Sequence, residues 1–493
     1  MKSFLVNIFK SQFFKNSAWT TADVILYPLF MIVATPFFIN HLGAEQYGLW
    51  MLINVVVQVM NALNFGLGDS TIKEVSKHHA THVYEQLNKS FNRNLSLAIV
   101  LLFCCLLLGF CTSKIIAHQG WFNINQVDMS KAMLTLVLFS CSAGLKFIEQ
   151  VFLSVFKGLQ RFDIAARLSM LSRLSVLGSA VVVVYGGFDI LMIVKVTLLL
   201  NIINLIVQAT VVLKYTPISS LIPRFAITDY HEVLQNNGWY WLQSVIALFG
   251  FLSDRIIIGQ LSDLKTVGYY SIAALVGSQI HNVLLTFGSF IFPKVSANNA
   301  LKKGSSQIYF VSRFLIAGLG WSVIVFLLLF GDVIFKWWLG EAVFMASYHY
   351  IKLYLAFVAV IILIIVPYYF INGSRFVKIN SLFEMVLRVT HVLAMYFSYR
   401  YYGMDGLLWS LIIVTIINIP FQYFLFNKLI LKEFNIRESL YPLLPALAIV
   451  FLVLSTSVWL NMVLLAGIVM LFKWIYYNKV KYIIKNFMPK GNA

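Results

Sequence analysis

Charge is scarce in this chain: 11% of its 493 residues are Asp, Glu, Lys or Arg, where a soluble domain carries roughly 25%. A surface built from so few charges suits lipid rather than water. Polar stretches long enough to form a sizeable aqueous domain are missing too, because hardly a soluble segment separates one apolar run from the next. Cysteine is rare. Cys104, Cys105, Cys111 and Cys141 fall in or beside apolar runs and read as small hydrophobes, not as a disulfide framework, and no Cys/His spacing resembles a zinc site. No glycine-rich Walker loop is present, which excludes direct drive by ATP. Acidic residues are outnumbered by basic ones, 19 to 37, for a formal net charge of +18. That excess does not indicate nucleic acid. The basic residues lie in short connectors and tails beside apolar spans, where they act as an orientation signal.

What is abundant is apolar sequence, 60% of the chain, arranged in about fourteen runs of about 20 residues each. Backbone groups in lipid must bond internally, so unbroken runs of this length select helices. The predicted spans are 17–39, 47–67, 93–113, 131–155, 165–186, 189–212, 237–259, 267–290, 311–334, 347–371, 377–399, 404–426, 439–458 and 460–478. Trp19, Trp50, Trp239, Trp241, Trp337, Trp338 and Trp459 sit near span ends as an interfacial belt. Alternate connectors are basic: Lys73, Lys77, Lys89 and Arg93, then Lys157, Arg161 and Arg167, then Lys214 and Arg224, and so on to Lys428, Lys432 and Arg437. The opposite side shows Lys114, Lys131, Lys265, Lys336 and Arg400. Both termini are therefore expected in the cytosol. Met1 to Lys15, amphipathic and basic, is expected to lie on the cytosolic membrane surface and not to be a cleaved signal.

A faint repeat runs through the chain. Gly48 to Ala80 aligns without gaps on Gly268 to Ala300, matching Gly48, Gly68, Val75, Ser76 and Ala80 with Gly268, Gly288, Val295, Ser296 and Ala300. Both copies take the same orientation after six spans, which predicts two six-helix halves related by an axis along the membrane normal. The expected divisions are 1–214 (spans 1–6), 215–430 (spans 7–12) and 431–493, a C-terminal helix pair with a basic tail.

The stretch FFINHLGAEQYGLWMLINVVVQVMNALNFGLGDSTIKEVSKH, with Leu42–Gly43, Tyr47–Gly48, Trp50 and Gly66–Leu67–Gly68, resembles the opening of the bacterial polysaccharide transporter family, the Wzx-type flippases. SDRIIIGQLSDLKTVGYYSIAAL, with Asp254, Arg255, Leu261, Gly268 and Tyr269, resembles that family's seventh-to-eighth helix pattern. The likeness extends over the whole chain in length, span count and loop placement. It implies membership of the multidrug/oligosaccharidyl-lipid/polysaccharide exporter superfamily. It also implies an all-α fold of two six-helix lobes forming a V around a central cavity, with a C-terminal helix pair. The implied activity is flipping of an undecaprenyl-pyrophosphate-linked oligosaccharide, such as an O-antigen repeat, to the periplasmic leaflet of the bacterial inner membrane. The implied partners are that lipid-linked oligosaccharide, membrane lipids, and a polysaccharide polymerase with its chain-length regulator; no nucleic acid is expected.

The residues bear on this through charges at membrane depth, which are costly and mark function by default. The deep cations are Lys146, Arg173, Lys195, Arg255, Lys352 and Arg388; the deep anions are Asp23, Glu149, Asp254 and Glu384; His281 and His391 add two titratable groups. Cations dominate and come from both halves, Lys146 and Lys352 on spans 4 and 10, Arg173 and Arg388 on spans 5 and 11. Lys146, Arg173, Lys195, Lys352 and Arg388 are expected to meet phosphates and acidic sugars. Glu149, Asp254, Arg255, His281, Glu384 and His391 are expected to serve ion coupling or gating, with H+ or Na+ as the coupling ion and no other cofactor. Each has a plainer reading. Glu384, Arg388 and His391, at i, i+4 and i+7, share a helical face, and the first two could simply neutralise each other. Lys146 and Glu149, at i and i+3, pose the same alternative. Asp254 and Arg255 could be an interfacial pair, and His281 a packing residue with a hydrogen bond. Pro28 and Pro36 are expected to kink the first span. Two other functions remain open. One is a MATE-like exporter of small organic molecules; for cationic cargo its cavity should be dominated by anions. A membrane glycan polymerase should carry a long external loop, and none is present; nor has any nucleophile–base set an aqueous setting. A lipid scramblase would need no ion coupling.

Overall fold

The fold was taken from a computed structural model, which describes residues 12–61, 67–119, 126–224, 245–246, 250, 252–289, 306–372, 376–426, 443–454, 463–468 and 470. Every described element is helical: α1 (Gln12–Asn61), α2 (Leu67–Ala80), α3 (Tyr84–Gln119), α4 (Gln126–Gly158), α5 (Phe162–Tyr185), α6 (Ile190–Tyr215), α7 (Leu264–Ser289), α8 (Ser306–Leu339), α9 (Glu341–Asn372), α10 (Val377–Phe426) and α11 (Leu443–Leu454). A further helical stretch covers 252–261. Among the described residues eight helices are long and apolar enough to cross a membrane. The longest of these, Ile379–Phe424, has 46 residues, more than twice the length that crosses a ~30 Å hydrocarbon core. It turns back at Gly403, whose φ of 61° breaks the helix, so α10 supplies two of the predicted spans.

The same device closes the first pair of spans. In α1 the non-helical backbone falls at Gly43, with φ 80°, a conformation that favours glycine. Pro28 and Pro36 lie within α1, at helical backbone angles. Elsewhere polar side chains open the helices: Asp189 accepts from the Met192 backbone N–H at 3.3 Å at the start of α6, and Asp263 accepts from that of Thr266 at 2.6 Å before α7. The Thr266 hydrogen bond holds the Asp263 carboxyl below its ordinary range. The tail Met1–Lys15, most of spans 7 and 14 and the loops of 290–305 and 427–442 lie wholly or largely outside the described residues.

The chain divides into two compact units, Met1–Gly268 and Tyr269–Ala493. In the first, α4 is the hub. Its Phe147, Val151, Phe152 and Val155 pack with Leu87, Phe91 and Leu95 of α3. Small residues let the backbones close up, as is usual without a hydrophobic drive between helices. A Cβ on Gly144 would stand 2.8 Å from the Leu102 Cα, and one on Gly109 would stand 2.3 Å from the Ser140 Oγ. In the second unit the hub is α9, whose apolar window is 89% buried. Trp321 donates its indole N–H to the Ala359 carbonyl at 2.8 Å. Pro367 removes the N–H that would bond the Leu363 carbonyl, and the Tyr423 hydroxyl donates to that oxygen instead, at 2.9 Å. Glycines matched by the repeat make matching approaches: a Cβ on Gly68 would stand 2.6 Å from Gln150 of α4, and one on Gly288 2.5 Å from Tyr369 of α9.

Candidate functional site

In the first unit the expected Lys146–Glu149 pair forms. Helical spacing of i, i+3 puts both side chains on one face of α4, and the Lys146 Nζ lies 2.5 Å from Glu149 Oε2. The two differ in exposure. The Lys146 side chain is 36% exposed and that of Glu149 10%, so the ammonium sits at the edge of the site and the carboxylate inside it. Lys146 also donates to Ser172 Oγ of α5 at 3.2 Å. From α6, Gln208 Nε2 donates to Glu149 Oε1 at 3.3 Å. Asn204 Nδ2 reaches Ser172 Oγ at 3.4 Å and Ser175 Oγ at 3.1 Å. Three helices are thus tied by a polar net whose members Glu149, Ser172, Asn204 and Gln208 are buried. Two buried acceptors on α6, Gln208 Oε1 and Asn201 Oδ1, have no hydrogen-bond donor.

Sequence reasoning had found the two charges and missed the rest. Thr197, Asn201, Asn204 and Gln208 are buried on one face of α6, at i, i+4, i+7 and i+11, and this spacing was legible. A search confined to charges passes over it. The i, i+3, i+7 spacing of Asn201, Asn204 and Gln208 returns in α10 as Thr415, Asn418 and Gln422.

In the second unit Glu384, Arg388 and His391 take the shared face their spacing predicts. The Arg388 guanidinium lies 3.2 Å from Glu384 Oε2, both side chains nearly out of solvent. His391 Nε2 lies 3.1 Å from Thr415 Oγ1 in the second half of α10. Three predicted residues therefore share this face, and Thr415 was missed; His281 of α7 is buried in the same unit.

Arg173 is exposed on α5, one position from buried Ser172, and Lys195 is exposed on α6. Lys352 is half-buried, its ammonium 5.0 Å from the Tyr348 ring centre on the same helix. Asp254 and Arg255 pair at 3.7 Å within the helical stretch 252–261, both largely buried. Among the described residues no group of His, Cys, Asp and Glu could hold a metal ion.

Chemically, the first unit offers a half-exposed cation whose carboxylate partner is held from behind by a neutral amide. Such an ammonium can turn to an anion without stranding itself. The second unit offers a buried ion pair with the His391 imidazole on the same helical face, which suits charge compensation and proton handling more than direct contact with a large ligand.

Known proteins with related sequence and structure agree on the class. Residues 13–299, more than half the chain, match the model of a family described as polysaccharide biosynthesis protein. A candidate O-antigen transporter of Shigella flexneri is 22% identical over 406 residues, covering 81% of this chain and 94% of that protein. Among solved structures, the lipid II flippase MurJ in an inward closed conformation superposes with a TM-score of 0.68 at 12% identity, over 96% of this chain and 99% of that one. An inward-facing multidrug MATE transporter of the MOP superfamily gives a TM-score of 0.64 at 14% identity, over 81% and 95%.

Proposed function

Since the chain belongs to the polysaccharide biosynthesis protein family and is a multi-pass membrane transporter rather than an enzyme, we propose that it flips an undecaprenyl-pyrophosphate-linked oligosaccharide repeat unit. Movement is from the cytosolic to the periplasmic leaflet of the bacterial inner membrane, by alternating access of two six-helix lobes, 1–214 and 215–430, with 431–493 appended. Both termini lie in the cytosol, as the basic connectors require. A polymerase and its chain-length regulator act on what is delivered.

The observation that carries this reading is the sign and exposure of the intramembrane charge. Lys146 is half-exposed, and Arg173 and Lys195 stand on exposed faces of apolar helices, where a cation is costly unless it meets water or an anion. In the first unit these three meet phosphates and acidic sugars through charge-assisted hydrogen bonds; in the second unit Lys352 does the same, while the Arg388 charge is balanced by Glu384. Return of the empty carrier is driven by H+ or Na+ at Asp254 or Glu384, with Arg255, His281 and His391 adjusting the local charge. The fold is shared with multidrug transporters, but a carrier of organic cations would need the opposite charge at these positions.

Deleting the gene tests the assignment. Lipid-linked repeat units should accumulate on the cytosolic leaflet, with loss of surface polymer. If single repeat units still reach the outside and only long chains disappear, the protein is a polymerase.

A further inference from the structure

The buried amide of Gln208 is half satisfied. Its Nε2 donates to Glu149 Oε1, which fixes the direction of the amide, because a carboxylate oxygen only accepts. Its Oε1 has no donor although the residue is 1% exposed. A lone acceptor at this depth is unfavourable, since no water compensates it. The carboxylate that Gln208 touches becomes a donor in one state only, when protonated. The atoms are already divided for that state. Gln208 holds Oε1 of Glu149, and Lys146 holds Oε2. With Lys146 withdrawn and a proton on Oε2, the Oε2–H group can donate to Gln208 Oε1 while Glu149 Oε1 keeps the N–H of Gln208. The result is a closed acid–amide pair with two hydrogen bonds and no lone acceptor.

We propose that Glu149 is a proton acceptor switched by anion binding at Lys146. This rests on the reading of Lys146 as a phosphate contact. In the empty site the Lys146 ammonium neutralises Glu149. An arriving pyrophosphate draws the half-exposed ammonium off Oε2 and onto a phosphate oxygen; the ammonium keeps all its protons. The carboxylate left behind is buried and has lost its counter-charge, so it takes one proton from water, and Gln208 closes the ring. Departure of the anion reverses each step: Lys146 returns, and the proton leaves to water on the side then open. Binding and release of the anion at Lys146 are thus linked to uptake and loss of one proton at Glu149.

Among the described side chains, the other charged groups on α4 and on the helices packed against it are paired elsewhere or exposed. Glu74 of α2 and Arg93 of α3 are bonded to each other, and Glu85 and Lys89 of α3 form an exposed pair. Lys114 of α3 lies over the Phe110 ring. His41 and Glu45 of α1, Lys73 and Lys77 of α2, Arg167 and Arg173 of α5, and Lys195 and Lys214 of α6 are exposed. Asp163 of α5 pairs with Arg161, and Asp189 before α6 with Lys131. On α4 itself, Lys157 is exposed.

The test uses the full chain in lipid nanodiscs, with geranyl pyrophosphate as the probe. Calorimetric titration in two buffers of different protonation heat counts the protons bound per anion. Comparing wild type with Glu149→Gln cancels the titration of the probe itself. Wild type should take up about one proton more per anion than Glu149→Gln. In the wild type alone, an infrared difference spectrum should gain a protonated-carboxyl band when the anion binds; that measurement needs no variant to fold. In Gln208→Leu the anion should still bind, with a smaller proton count. If binding needs Lys146 but the proton counts are equal and no carboxyl band appears, the switch is wrong and the phosphate-binding reading stands. If Lys146→Met binds the probe as well as wild type, the phosphate-binding reading is itself wrong and the switch goes with it.

Discussion

Removing Lys146 should hurt more than removing the residue it pairs with. The reason is the difference in exposure between the partners, 36% for the Lys146 side chain and 10% for that of Glu149. Lys146→Met leaves a carboxylate inside the helix bundle with Gln208 Nε2 as its remaining recorded donor. Methionine keeps much of the stem's packing, so the loss is mainly electrostatic. Breaking a fully buried pair costs about 3–5 kcal/mol and breaking an exposed one about 0–1. With one partner inside and the other half out, about 2 kcal/mol is expected for Lys146→Met. Glu149→Gln should cost under about 1 kcal/mol, because the ammonium can turn toward solvent. The double variant should be more stable than Lys146→Met alone, giving a coupling of about 1–2 kcal/mol. Thermal unfolding in detergent, followed by tryptophan fluorescence at one fixed scan rate, ranks the four proteins directly. A Lys146→Met protein that unfolds at the wild-type temperature, or a double variant worse than both singles, would refute the reasoning.

Three further outcomes are expected. Arg388→Gln should lower both stability and transport, and adding Glu384→Gln should recover much of the stability, because the pair is nearly desolvated; thermal unfolding and flipping assays on the two variants separate these effects. Gly144→Leu should abolish folded yield, measured by size-exclusion profile, since its Cβ would already lie 2.8 Å from the Leu102 backbone and overpacking of a larger chain adds about 1–3 kcal/mol or more. Reporter fusions after Lys89, Lys303 and Lys490 should read cytosolic and those after Gln126 and Asp405 periplasmic; a periplasmic reading at Lys490 would contradict the span count.

Much of this molecule could be read from hydropathy and spacing. The run predicted at 165–186 is α5, Phe162–Tyr185, and that at 189–212 is α6, Ile190–Tyr215. The intrahelical pairs Lys146–Glu149 and Glu384–Arg388 follow from helix geometry alone. The Gly43 turn was less legible. A seven-residue connector was expected between spans 1 and 2, whereas helix runs up to Gly43 and resumes at once; hydropathy marks where apolar sequence pauses, not where a helix stops. Which way Arg173 faces was not legible either. Lipid-facing and core-facing sides of such a helix are both apolar, so periodicity does not tell them apart. Gln208 and Asn204 were missed for a different reason. Neutral amides interrupt a hydrophobic run little, and the importance of these two appears only when Gln208 is found bonded to Glu149, 59 positions away in sequence, and Asn204 to Ser172 and Ser175.

The central claim is that cations within the membrane carry the phosphates of a lipid-linked sugar. Its most direct test is flipping by the purified protein in vesicles, using a fluorescent undecaprenyl-pyrophosphate oligosaccharide and an outside quencher. Arg173→Ala should insert normally yet lose tenfold or more in rate, as expected for removal of a charge-assisted contact worth about 1.5–3 kcal/mol. Arg173→Lys should recover part of that rate, because it keeps the charge and loses the planar fork. Wild-type rates from Arg173→Ala and from the Glu384→Gln, Arg388→Gln double variant together would contradict the account.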